Sequence, residues 1–149
     1  MSQDASAYGT GIDYADVKLL DRQLARMPKE FHREARPLLR SAGQQILRDA
    51  AMRASAWSSR IPHSLSLVVS FSERRPGVRI RASLAVAPHA RVYEGMVDDS
   101  FRHPVFGGNT WVDQRARPYL LPAVRFGQHY VIEAATEAVN EAARRAGLA

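Results

Sequence analysis

Residues 65–84, LSLVVSFSERRPGVRIRASL, decide the fold class. Leu65, Leu67, Val69 and Phe71 alternate with Ser66, Val68 and Ser70, so this segment carries an apolar face with the period of a strand. Val78, Ile80, Ala82 and Leu84 alternate with Arg79, Arg81 and Ser83, which predicts a second, half-buried strand with an arginine-bearing outer face. Glu73-Arg74-Arg75-Pro76-Gly77 has turn chemistry between them. A β-hairpin over 65–86 follows. The sequence on either side of it has the other period.

Upstream, Val17, Leu20, Leu24, Met27 and Phe31 recur at spacings of three and four, and the stripe resumes through Ala35, Leu38, Leu39, Ala42, Ile46 and Ala50. This predicts a helical arm over 13–54, with Asp13 as its N-cap. An interior proline costs ~3 kcal/mol, so a break is expected at Pro28 and a second bend at Pro37. Residues 1–12, small and polar, read as a flexible arm. Downstream, Pro88 to Gly95 (PHARVYEG) reads as one short helix ended by glycine.

The stretch 96–117 has glycines and a proline, yet it also carries Phe101, Val105, Phe106, Trp111 and Val112. A purely solvated loop would not hold so many large apolar groups. Strands near 105–106 and 110–112, turning through Gly107-Gly108-Asn109, are its expected local structure. A C-terminal helix over 118–146 opens at Pro118 and Pro122, with Val124, Val131, Ala135, Ala138 and Ala142 as its stripe. The sum is one α+β domain: a kinked N-terminal helical arm, a small antiparallel sheet made of the hairpin plus irregular loop strands, and a C-terminal helix.

Composition narrows the function classes. The chain has 149 residues, no cysteine, and 21 Lys+Arg against 15 Asp+Glu, for a formal charge of +6. Thiol nucleophiles, disulfides and cysteine-ligated metals are excluded. All but two of the basic residues are arginine; Lys18 and Lys29 are the exceptions. Arginine suits bidentate contacts to carboxylates and phosphates, although a GC-rich genome would also favour it, along with the many alanines. No apolar run approaches the ~20 residues needed to span a membrane. The polar, acidic start lacks a signal-peptide pattern, so a soluble intracellular protein is expected.

Candidate chemistry is sparse. His32, His63, His89, His103 and His129 lack paired ligand spacing, and no cofactor motif is present. Ser55, Ser58 and Ser59 lack a nucleophile elbow. Gly107-Gly108-Asn109-Thr110 lacks the lysine of a phosphate loop. No enzyme is expected. Acidic residues interleave with arginines along both helices, so no concentrated basic helix is expected either.

Several strings do form a pattern together. They are Ser55-Ala56-Trp57-Ser58-Ser59-Arg60-Ile61-Pro62, Ala87-Pro88-His89-Ala90 with Tyr93-Glu94-Gly95, Arg102-His103-Pro104-Val105-Phe106-Gly107, Trp111-Val112, and Arg117-Pro118-Tyr119-Leu120-Leu121-Pro122-Ala123. In order and spacing they resemble the neck, or head–tail joining, proteins of long-tailed bacteriophages, the gene-product-ten-like tail-completion family. The pattern covers roughly the last two-thirds of the chain; residues 1–12 match nothing in it.

The resemblance implies a virion structural protein, built in host cytoplasm and placed at the head–tail junction. It implies a ring, usually of six copies, between the head-closure (stopper) ring and the tail terminator or tail tube. DNA would only pass through the lumen. It implies no catalytic residues, no cofactor, no metal and no membrane. The neighbouring tail-terminator ring is an alternative, as is a small basic nucleic-acid-binding regulator. Ring interfaces are heterologous and need two different surfaces per copy. Phe101, Arg102, Phe106, Trp111 and Arg115 have interface composition, and Arg79 and Arg81 on one strand face are candidates for pairing with a neighbour's acids.

Overall fold

The computed structural model describes residues 25–105 and 108–148. In chain order the elements are α1 (Lys29–Ser55), α2 (Arg60–Ser64), β1 (Leu65–Ser70), β2 (Gly77–Ala82), α3 (Ala90–Glu94), β3 (Ser100–Pro104), β4 (Trp111–Arg115) and α4 (Leu120–Arg145). This is an α+β chain with two small antiparallel sheets, β1–β2 and β3–β4. The described chain divides into two compact units. One comprises 25–43, 68–79 and 129–148; the other comprises Gln44–Leu67 with Ile80–Gln128.

The chain bends at Met27 and Pro28, where proline interrupts the helical pattern, and α1 starts at once behind it with the Pro28 carbonyl accepting from the His32 N–H at 3.2 Å. Pro37 lies inside α1, which nevertheless runs without interruption to Ser55. The buried face of α1 includes Phe31, Ala35, Leu39, Ala42, Ile46 and Ala50, the periodic stripe of the sequence. The part of the expected arm before residue 25, and the flexible arm 1–12, lie outside the described residues. Helix α2 was not foreseen; it forms where the Ser58 hydroxyl takes the Ile61 N–H at 3.2 Å.

In the first unit, Arg145 pairs with Glu34 at 2.7 Å, and Arg36 donates to the Val69 carbonyl at 3.1 Å. In the second unit, Gly127 lies against Ile46. A Cβ at Gly127 would collide with Ile46 Cγ1, so only glycine permits the approach. The buried side of α4 is made of small residues, Ala123, Gly127, Ala134, Ala135 and Ala138, whereas Val124, expected in the stripe, is exposed.

The stretch 96–117 is more regular than its composition suggests. Strand β3 begins at Ser100 rather than near Val105, and β4 extends to Arg115. The register pairs Ser100 with Arg115, Phe101 with Gln114, Arg102 with Asp113, His103 with Val112 and Pro104 with Trp111. Alternation was invisible because the charged pair Arg102–Asp113 and the polar pair Ser100–Arg115 occupy one face instead of an apolar row.

Candidate functional site

The second unit is organised around an aromatic cluster. The Trp57 ring stacks on Tyr93 with centroids 4.2 Å apart and meets Tyr119 edge-on at 5.9 Å. Tyr93 also receives His89 at 5.4 Å and Phe101 at 4.8 Å, both edge-to-face. Such pairs add about 0.5–1.5 kcal/mol beyond the area they bury. Four of the strings quoted above, distant in sequence, supply residues to this cluster. Trp57 follows the end of α1, His89 and Tyr93 flank and occupy α3, His103 lies beside Phe101 in β3, and Tyr119 opens α4.

Tyr119 is 2% exposed, and its hydroxyl donates to the Ala90 carbonyl at 3.2 Å. Burial, aided by the Glu94 carboxylate, pushes its ionisation up to about 12. The Glu94 carboxylate is the second fixture. One oxygen accepts from the N–H groups of Tyr119 and Leu120 at 2.9 Å each, and the other from Leu121 at 2.7 Å. These are donors that α4 cannot satisfy within its own first turn. A carboxylate there also meets the positive end of the helix dipole. Helix α3, closed by Gly95 at φ +83°, thus delivers the cap of a helix 25 residues further on.

Ser58 and His89 meet in the same cluster, Oγ to Nε2 at 3.1 Å. Burial and the neighbouring Arg60 charge lower the His89 pKa, which favours a neutral ring at pH 7. The serine Oγ thus shares a hydrogen bond with Nε2, its direction set by the ring tautomer, while accepting the Ile61 N–H. Among the described residues no carboxylate is seen orienting the other ring nitrogen, and no group of side chains could hold a metal ion. The pair ties α2 to α3.

From this base the β3–β4 ribbon extends. Its root is fixed by Ala116 N–H to the Asp99 carbonyl at 2.8 Å and Arg117 N–H to the Tyr93 carbonyl at 2.7 Å. By the register, Phe101, His103, Val112 and Gln114 share one face; Arg102, Pro104, Trp111, Asp113 and Arg115 share the other. The expected set is therefore split. Phe101 packs on Tyr93 within the chain. Trp111 stands 53% exposed beside Pro104, and Arg102 and Arg115 are exposed on the same face. Arg102 pairs with Asp113 at 3.4 Å, an exposed pair of small energetic value. Phe106 lies outside the described residues.

Arg79 is half-buried and donates to the Arg75 carbonyl at 3.1 Å; Arg81 is exposed. The same unit as the ribbon carries an open apolar groove of about 280 Å³, lined by Ile80, Ala82, Leu84, Ala90, Met96 and Leu120. Exposed Leu84 and Met96 continue its rim.

The arginines of α1 are arranged otherwise than their interleaving with acids suggests. Lys29, Arg33, Arg36 and Arg40 are all exposed, and their spacing of four, three and four puts them on one stripe. Glu30 and Glu34 fall off that stripe. No concentrated basic helix was expected from the interleaved acids, and Glu30 and Glu34 do lie on this helix, but its exposed face between Lys29 and Arg40 is basic.

No model of a known protein family matches the chain, and no curated protein or solved structure does so either. Among the described residues, no helix is long and apolar enough to cross a membrane.

Proposed function

We propose that this chain is a structural protein of a phage or phage-like particle, forming a ring at the head–tail junction through contacts of its β3–β4 ribbon. The observation that carries the reading is Trp111: a large aromatic side chain held half in water, on a ribbon whose other end is locked into the aromatic cluster. Aromatic residues with neighbouring arginines are the enriched anchors of protein interfaces. A ring also needs a second, different surface. The open groove lined by Ile80, Leu84 and Met96 is an apolar surface suited to receive the ribbon tip of the next copy. The resemblance to head–tail joining proteins supplies the setting, with the stopper ring and the tail terminator or tube as neighbours and the virion as the location.

Native mass spectrometry and negative-stain microscopy of the purified chain test the reading. Closed rings are expected, with Trp111→Ala shifting the population to monomers of unchanged melting temperature. Normal ring assembly by an equally stable Trp111→Ala chain overturns the interface.

A further inference from the structure

We infer that the exposed stripe Lys29–Arg33–Arg36–Arg40 on α1 is a binding surface for the phosphate backbone of duplex DNA, without base preference. Four cations follow one another along about three turns of helix, spaced by about 4.5–6 Å of rise. Lys29, Arg33 and Arg40 are exposed and, among the described residues, form no ion pair.

Arg36 is pre-positioned. Its guanidinium donates to the Val69 carbonyl and lies over the Phe71 ring at 5.1 Å, while His32 stacks on the same ring at 4.3 Å. These contacts hold the start of the hairpin turn against α1 in the first unit, and that turn carries two more exposed arginines, Arg74 and Arg75. Duplex DNA presents one negative charge per ~1.7 Å of axis, so a row of arginines can engage successive phosphates whatever the sequence.

The composition of the face favours nucleic acid over an acidic protein partner. Among the described residues, Lys29–Gly43 holds no exposed large hydrophobic side chain. Stable protein interfaces have an apolar core ringed by polar groups, whereas protein–DNA interfaces are polar and strongly positive. The inference goes beyond the head–tail reading and does not depend on it: the stripe is a property of one chain, and the ribbon that carries the ring reading shares no residue with it.

The test is fluorescence anisotropy of the full chain with a labelled duplex of random sequence, titrated at several salt concentrations. Binding is expected with a log K against log salt slope of about −3 to −4. Arg33→Ala/Arg40→Ala should weaken it by roughly tenfold per residue at low salt and make the slope shallower by about two. Arg48→Ala/Arg117→Ala, which removes two exposed charges off the stripe, should leave both quantities unchanged. Circular dichroism confirms that each variant is folded. Absence of binding at low salt, equal losses in the two double variants, or a slope unaffected by Arg33→Ala/Arg40→Ala overturns the inference. Competition by polyglutamate as effective as by unlabelled duplex also overturns it, in favour of an acidic protein partner. Ring formation is read separately, so its loss in these variants bears on the head–tail reading alone.

Discussion

Phe101 and Trp111 sit ten residues apart on the same two-stranded ribbon, yet the structure gives them opposite surroundings. Phe101 lies at the root, edge-on to Tyr93, inside a cluster that also holds Trp57, His89 and Tyr119. Trp111 lies at the far end, across from Pro104, mostly in water. An isolated two-stranded ribbon is at best marginally stable in water. The root therefore supplies the order from which the tip benefits. The difference teaches that aromatic content alone does not mark an interface: the root aromatics pack against one another within the chain, whereas the tip aromatic is left exposed.

The comparison breaks most visibly at the root. Tyr119→Ala empties a fully buried site and removes the hydrogen bond to Ala90, so a loss of about 3–5 kcal/mol is expected in urea denaturation. A loss below about 0.5 kcal/mol, the range of an ordinary surface change, would mean that the cluster is not the anchor.

Glu94→Ala is expected to come next. It strips three N–H groups of α4 of their charged acceptor, and about 1.5–3 kcal/mol should be lost by the same measurement. Glu94→Gln should retain part of this, since one amide oxygen still accepts while the charge at the helix end is gone.

How much of this was legible beforehand depends on the range of the interaction. The hairpin, the α1 stripe and the glycine stop of α3 are local patterns of period or backbone conformation, and they can be read from neighbouring residues. The Glu94 cap joins residues 25 or more apart, and nothing near Glu94 announces it. Arg102 and Asp113 became partners only once the register was known. The basic stripe was readable in principle from its four-three-four spacing. Glu30 and Glu34 disguised it, because adjacency in sequence is not adjacency on a helix.

His89 gives a smaller, pH-dependent effect at the root. Its pKa is lowered in the folded chain, chiefly by burial and then by Arg60, so the unfolded chain takes up the proton first as pH falls through its ordinary value of 6.5. Stability carried by the neutral ring is therefore complete above that value and declines below it, toward the folded pKa. Urea midpoints at pH 7.5 and pH 5 should fall further for the wild-type chain than for His89→Gln. Equal falls would show that the ring is not titrating against the fold.

The smallest expected change in stability, and the sharpest test of the comparison, is at the tip. Trp111→Ala removes a side chain that is 53% exposed, and such changes usually stay within about 0.5 kcal/mol. Phe101→Ala, on the same ribbon, should cost several times more, because it opens the packing against Tyr93. Assembly should rank the two variants the other way on a per-kcal basis. Trp111→Ala should lose ring formation with little loss of stability. Phe101→Ala should retain assembly in the fraction that remains folded. Should both variants lose assembly only in proportion to their loss of stability, the division of root from tip would fail, and the ribbon would be a structural arm rather than a contact surface.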